Sequence, residues 1–198
     1  MEPMSVKHPI LLDLSGRRVV VLGAGKIAER RIAALLEAGA AITVVAPRTT
    51  PRVERWAVEG RVQLERRRYQ AGDLRGARLA YAATGDADAN RQARQEADES
   101  GVWLNVADQP QQCDFFTPAV VRRGLLTIAV STCGASPALA SRLRERLEGE
   151  IGPEFEGVLA RLQALRARCR AEGRPLADAR EEIEWIIEDV LPRTGFQR

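Results

Sequence analysis

The amino-acid sequence predicts an α/β fold, with a Rossmann-type, doubly wound parallel sheet in the first half and helices in the final third. Three observations carry that prediction. A β-branched run, Arg18-Val19-Val20-Val21-Leu22, enters the turn Gly23-Ala24-Gly25 and leaves it with helical periodicity. Strand-like and helix-like segments then alternate through short connections. After about residue 110 the pattern becomes mainly helical.

The first run is continuously apolar, as a parallel strand buried on both faces must be. From Ile27 to Ala38 apolar positions recur at helical spacing, and Gly39 caps the end. Ala41-Ile42-Thr43-Val44-Val45 forms a second strand that Pro47 stops, completing a right-handed β-α-β unit. Val62-Gln63-Leu64, Leu79 to Ala83 and Trp103 to Val106 read as further strands, and Leu126 to Val130 as another. The polar, alanine-rich stretch from Asp88 to Ser100 reads as a helix. Such alternation specifies a doubly wound sheet. Beyond it, Ser136-Pro137 is a strong helix start, with serine at the cap and proline in the first turn. Helices are expected over 138–148, 154–171 and 176–191, separated at Gly152-Pro153 and Gly173-Arg174-Pro175.

Composition narrows the function classes. The 198 residues are 45% hydrophobic and 29% charged, which suits a globular core. Thirty basic against 27 acidic residues leave a net charge of +3, too little to imply a nucleic-acid partner. Cys113, Cys133 and Cys169 are widely spaced and form no C-x-x-C pair, and His8 is the sole histidine. A zinc site, a disulfide framework and a histidine triad are therefore not expected, and no metal ligands are assigned. No run approaches a membrane span and no signal-peptide pattern opens the sequence, so a cytoplasmic protein without a membrane partner is expected.

Gly23-Ala24-Gly25-Lys26-Ile27-Ala28 matches G-x-G-x-x-A. Gly23 permits the tight strand-to-helix turn, Gly25 lets backbone approach a pyrophosphate, and Ala28 allows close helix–strand packing. The helix start offers amide donors and partial positive charge to the phosphates. A glycine turn kept for packing alone would have the same sequence, but the β-α-β context favours a nucleotide. An NAD site usually has Asp or Glu at the end of the second strand, and here that place reads Ala46-Pro47-Arg48. Arg48 by itself favours NADP, whereas backbone contacts around Pro47 would also serve a ribose. Asn105-Val106-Ala107-Asp108 leaves the carboxyl end of a strand, where such sheets place ligands. Asp108 there is either a general base, a metal contact or a simple turn former.

These residues together resemble the precorrin-2 dehydrogenase / sirohydrochlorin ferrochelatase family of sirohaem biosynthesis. The resemblance begins at Pro9-Ile10-Leu11-Leu12-Asp13-Leu14 and includes the glycine turn. It continues through Val44-Val45-Ala46-Pro47, Ala82-Ala83-Thr84-Gly85-Asp86 with Asn90, and Asn105-Val106-Ala107-Asp108. Its most specific parts are Cys113-Asp114-Phe115-Phe116-Thr117-Pro118-Ala119 and Ser131-Thr132-Cys133-Gly134-Ala135-Ser136-Pro137-Ala138-Leu139-Ala140.

The resemblance implies a homodimer with an NAD-binding domain over 1–112, a dimerisation segment over 113–149 and a helical domain over 150–198. It implies oxidation of precorrin-2 to sirohydrochlorin with NAD, and in some members insertion of ferrous iron to give sirohaem. The family's key aspartate falls on Asp108. Cofactor contacts fall on Gly23, Ala24, Gly25, Lys26, Ile27, Pro47, Arg48 and Thr84, and contacts to the tetrapyrrole on Asn105, Thr132, Ser136 and Arg142. Because those relatives use NAD without an acidic residue, NAD is expected over NADP. The carboxylates of precorrin-2 suit arginine partners, for which Arg122, Arg123, Arg142 and Arg146 are candidates. Two positions depart from the pattern. Cys133 stands where the family often has glycine, and Gln109 replaces the usual acidic residue. Both bear on metal insertion more than on dehydrogenation. The methyltransferase domain of fused members is not expected. Competing functions are a nucleotide-sensing regulatory module and a dehydrogenase of another anionic metabolite.

Overall fold

The computed structural model describes residues 6–191 and divides into two compact units after Phe116. In the first unit the order is β1 (Arg18–Leu22), α1 (Lys26–Glu37), β2 (Ala41–Val45), α2 (Pro51–Val58), β3 (Gln63–Glu65), β4 (Leu79–Ala82), α3 (Ala87–Ser100) and β5 (Trp103–Val106). All five strands are parallel and lie in the order β3-β2-β1-β4-β5. The chain builds outward from β1 in one direction, then returns to its other side at β4. That reversal opens a crevice at the carboxyl ends of the strands, where the glycine turn sits.

The strand residues divide between the sheet's two faces. Val19 and Val21 join α1 (Ala28, Ile32, Leu35) and α2 (Val53, Trp56) in one cluster. Val20 and Leu22 join Leu74 and the alanines Ala93 and Ala97 of α3 in the other. This two-sided cover explains the unbroken valine run. Truncating a core side chain such as Ile32, fully buried, costs about 2–5 kcal/mol.

The pattern reading omits α2. Its signal is local: Thr50 Oγ1 accepts from the Val53 amide and Pro51 opens the first turn. Eight residues give too little periodicity to register.

The second unit corrects one strand. Leu126–Val130 (β7) is extended, but it pairs antiparallel with β6 (Ala119–Arg123) in a separate two-stranded sheet. Gly124, at φ 54°, turns this hairpin, and a short apolar run does not reveal which sheet it will join. Then follow α4 (Pro137–Glu150), α5 (Glu154–Ala171), a 3₁₀ turn at Leu176–Ala179 and α6 (Arg180–Glu188). The expected helix over 176–191 is thus two pieces, meeting at Ala179, whose φ is −100°. Val158, Leu165, Cys169, Ala179 and Ile186 form this unit's core.

Candidate functional site

The glycine turn is held from both sides of β1. The Gly23 amide donates to Val45 O at the end of β2, and Ala83 N donates to Leu22 O beyond the end of β4. The two glycines serve different needs. Gly23 has a φ of 96°, and a Cβ there would lie 2.9 Å from the Ala83 carbonyl carbon, so the fold itself requires glycine. Gly25 has ordinary extended backbone, φ −78° and ψ −173°, and a Cβ would meet nothing within 4 Å. The space over Gly25 therefore lies open, as a dinucleotide's pyrophosphate requires. Helices α2, α3 and α4 are capped by Thr50, Asp86 and Ser136 side chains, whereas α1, which begins at Gly25, has no such cap, and neither do α5 and α6. The amides of its first turn, which include Lys26 and Ile27, have no intrahelical partners by geometry. An anion can take the cap's place. Lys26 and Ile27 are exposed here, while Ala24 is buried under the turn.

Beside the turn lies a cavity of about 260 Å³ at the carboxyl ends of β1, β2 and β4. It brings together Gly23, Pro47, Arg48 and Thr84 of the expected cofactor contacts. It also adds Arg68, Tyr69, Gly85 and Asp86, which the sequence reading did not assign. A signal for them exists in retrospect, since Gly85-Asp86 follows β4 and Arg68 follows β3, both at carboxyl ends. Thr84 Oγ1 accepts from the Asp86 amide, and Asp86 caps α3 by accepting from Asp88 N and Ala89 N. Behind the cavity, Arg67 clamps Asp73 through two bonds of 2.8 and 2.7 Å. Burial pushes the Asp73 carboxyl up, but the Arg67 fork and the Gln70 amide outweigh it and hold the group below the usual carboxylate range. Tyr69 donates to Glu96, and burial followed by that carboxylate raises its hydroxyl pKa.

At the sheet's other side, the segment after β5 folds back along that strand as a clasp. Asp114 N donates to Leu104 O, and Asp114 Oδ2 accepts from Leu104 N at 2.7 Å and from Arg94 at 2.9 Å. Asn105 Nδ2 donates to Phe115 O at 2.8 Å. Cys113 Sγ accepts from Val106 N and lies 3.2 Å from Val106 O and 3.3 Å from Gln109 O, so it spans the turn on both sides of Asp108. Burial raises the Cys113 thiol's pKa, which suits a hydrogen-bonding role. Phe115 stacks edge-on against Tyr81 with centroids 5.3 Å apart. Inside this frame Asp108 is exposed at φ 61°, a left-handed conformation that Asp tolerates better than most side chains. The buried Asn105 side chain uses its amide within the clasp.

Thr132, Ser136 and Arg142 lie in the second unit. Thr132 Oγ1 accepts from the Ser136 amide, and Ser136 Oγ accepts from Leu139 N at the start of α4. Accepting these bonds leaves each hydroxyl its own proton to donate. Cys133 sits between them at φ 50°. Arg123 bonds to the Glu148 and Ile151 carbonyls, and Arg146 pairs with Glu150. Arg142 is exposed on α4. Among the described residues, no group of three or more His, Cys, Asp or Glu could hold a metal ion, and no helix is long and apolar enough to cross a membrane.

Known proteins match this arrangement along most of the chain. A family described as NAD(P)-binding matches residues 10–119, and the central region of sirohaem biosynthesis proteins matches 123–150. A sirohaem synthase of Gluconobacter oxydans is 43% identical over 194 residues, 96% of this chain and 40% of the relative. One of Nitrosococcus oceani is 37% identical over 190 residues, again 96% and 40%. The chain thus spans about two fifths of the length of these curated relatives. The solved structure of SirC, a precorrin-2 dehydrogenase, superimposes with a TM-score of 0.79 at 31% identity, covering 92% of this chain and 90% of that one. The glycine turn, the NAD(P)-binding sheet and this likeness over at least nine tenths of both chains agree, and the chain belongs to the precorrin-2 dehydrogenase family.

Proposed function

We propose that this protein oxidises precorrin-2 to sirohydrochlorin in sirohaem biosynthesis, with NAD as the oxidant. The single observation that carries the reading is the likeness, over 92% of this chain, to a precorrin-2 dehydrogenase. The uncapped α1 and the open space over Gly25 support the cofactor's place. Bound at this site, NAD would supply the hydride acceptor for oxidation of the substrate ring. The amides of Lys26 and Ile27 hold its pyrophosphate, while Pro47, Arg48 and Thr84 bound the adenosine side. Asp108 takes the proton released as the ring is oxidised, a contribution of roughly 10²–10⁴ in rate. Asn105 positions that loop through the clasp, so its link to substrate is indirect. Thr132 and Ser136 donate to substrate carboxylates, and Arg142 pairs with one.

The working form is a cytoplasmic homodimer built through 113–149. Leu139 and Leu143 of α4 and Leu125 of the hairpin support this, because their side chains are exposed. Adding ferrous iron tests the further step that some members of the family carry out, its insertion into sirohydrochlorin to give sirohaem. The test is incubation of purified protein with precorrin-2 and NAD, with and without ferrous iron, followed by visible absorption. NAD-dependent appearance of sirohydrochlorin is expected, and no oxidation under either condition refutes the proposal. Light scattering that gives a monomer of 21.8 kDa at micromolar concentration rejects the dimer.

A further inference from the structure

We propose that the cavity between Arg48 and Arg68 receives a 2′-phosphate, so that the same site binds NADP as well as NAD. The inference rests on the dinucleotide site proposed above and deepens it. Three consecutive arginines follow β3, and their commitments differ. Arg66 pairs with Glu54, and Arg67 is clamped on Asp73. Arg68 lines the cavity, its side chain 84% exposed, with only a loose 3.7 Å approach to Asp86. Arg48 lines the same cavity from the end of β2 and has no ion-pair partner among the described residues.

The place where an NAD-selective site puts a carboxylate is filled here by Ala46 and Pro47. No acidic group there would hold the ribose hydroxyls or repel a phosphate. The cavity's lining includes one carboxylate, Asp86, whose Oδ1 is already occupied by two amides of α3. Two guanidinium groups against one capped carboxylate leave a net positive rim. Arginine binds a phosphate through charge-assisted, often paired bonds. A phosphate entering the rim would draw Arg68 from its loose contact without breaking a tight one. NAD needs no such contact, so both dinucleotides are accommodated.

The experiment is titration calorimetry of the full chain with NAD, NADP, 5′-AMP and 2′,5′-ADP at low and moderate salt. NADP is expected to bind within threefold of NAD or tighter, and 2′,5′-ADP about tenfold tighter than 5′-AMP. That excess should shrink as salt rises. In Arg68→Ala the NADP-to-NAD affinity ratio is expected to fall about tenfold, and further in Arg48→Ala/Arg68→Ala. The ratio reads the phosphate contact even where Arg48 also touches the adenosine. NAD binding with NADP more than threefold weaker overturns this inference and leaves the dinucleotide site standing. Binding of neither nucleotide overturns both. A ratio unmoved by the arginine variants overturns the assignment to these two residues.

Discussion

The two glycines of the turn should fail in opposite ways when substituted. In Gly23→Ala the new methyl would occupy a backbone at φ 96° and lie 2.9 Å from the Ala83 carbonyl carbon, which belongs to the chain beside β1. The backbone strain alone costs about 1–3 kcal/mol. The overlap adds to it, because no rotamer can move a Cβ and Ala83 is tied to Leu22 by a backbone bond. Against a total stability of about 5–15 kcal/mol, that is a large fraction. In Gly25→Val the backbone is ordinary and the space is open. Losing glycine at the cap costs about 1 kcal/mol, and a stiffer unfolded chain returns about 0.4–1 kcal/mol. The net change is under about 1 kcal/mol, a melting shift of less than roughly 4 °C for a chain of this size.

Binding reverses the order. The valine would fill the place from which first-turn amides reach an anion. Two charge-assisted bonds lost, at about 1.5–3 kcal/mol each, weaken NAD at least 100-fold. Differential scanning fluorimetry and calorimetry on both variants separate the effects. Gly25→Val binding NAD within threefold of the parent protein, or Gly23→Ala melting with the parent, would refute the reasoning.

Four further outcomes follow from the same geometry. Asp108→Asn keeps a residue that tolerates φ 61°, so it should retain NAD affinity while slowing precorrin-2 oxidation roughly 10²–10⁴-fold; a normal rate means Asp108 is not a base. Cys113→Ala should strip the Val106 amide of its partner, costing about 1–3 kcal/mol and lowering kcat, with Cys113→Ser restoring most of both; equal behaviour of the two variants would show that the clasp does not position Asp108. Cys133→Gly should relax the left-handed position and raise the melting temperature by roughly 1–4 °C, and a lower value would contradict that. Asp73 has a depressed carboxyl pKa, so its stabilisation is complete above the unfolded value of about 3.9 and disappears as pH falls through the folded one. The melting difference between the parent and Asp73→Asn should therefore vanish in acid, and a gap constant down to about pH 2 would rule out this linkage.

Much of the local framework was legible in order along the chain. The valine run, the glycine turn and the cap at Ser136 are local devices, each readable within a few residues. Arg48 and Thr84 were expected at the cofactor, and they line one cavity with Gly23 and Pro47. Arg68 was not, because three adjacent arginines look alike in sequence. Their difference lies in Glu54, Asp73 and Asp86, partners drawn from separate elements. Cys113 was equally opaque, since a lone thiol says nothing until its neighbours across the Asp108 turn are known.

The amino-acid sequence by itself determined the parallel sheet, because a strand buried on both faces must be apolar at every position and a tight turn into a helix must carry glycine. It also carried the Gly23-Ala24-Gly25 turn that opens α1, the place proposed above for an anion. Tertiary structure alone decided that Leu126–Val130 leaves that sheet for a hairpin. It alone decided which glycine answers to the backbone and which to open space, and which of the three arginines after β3 lines the cavity. The physical reason is common to all three. Strand partners, close backbone approaches and ion pairs are set by residues distant in sequence, and local pattern carries no record of them.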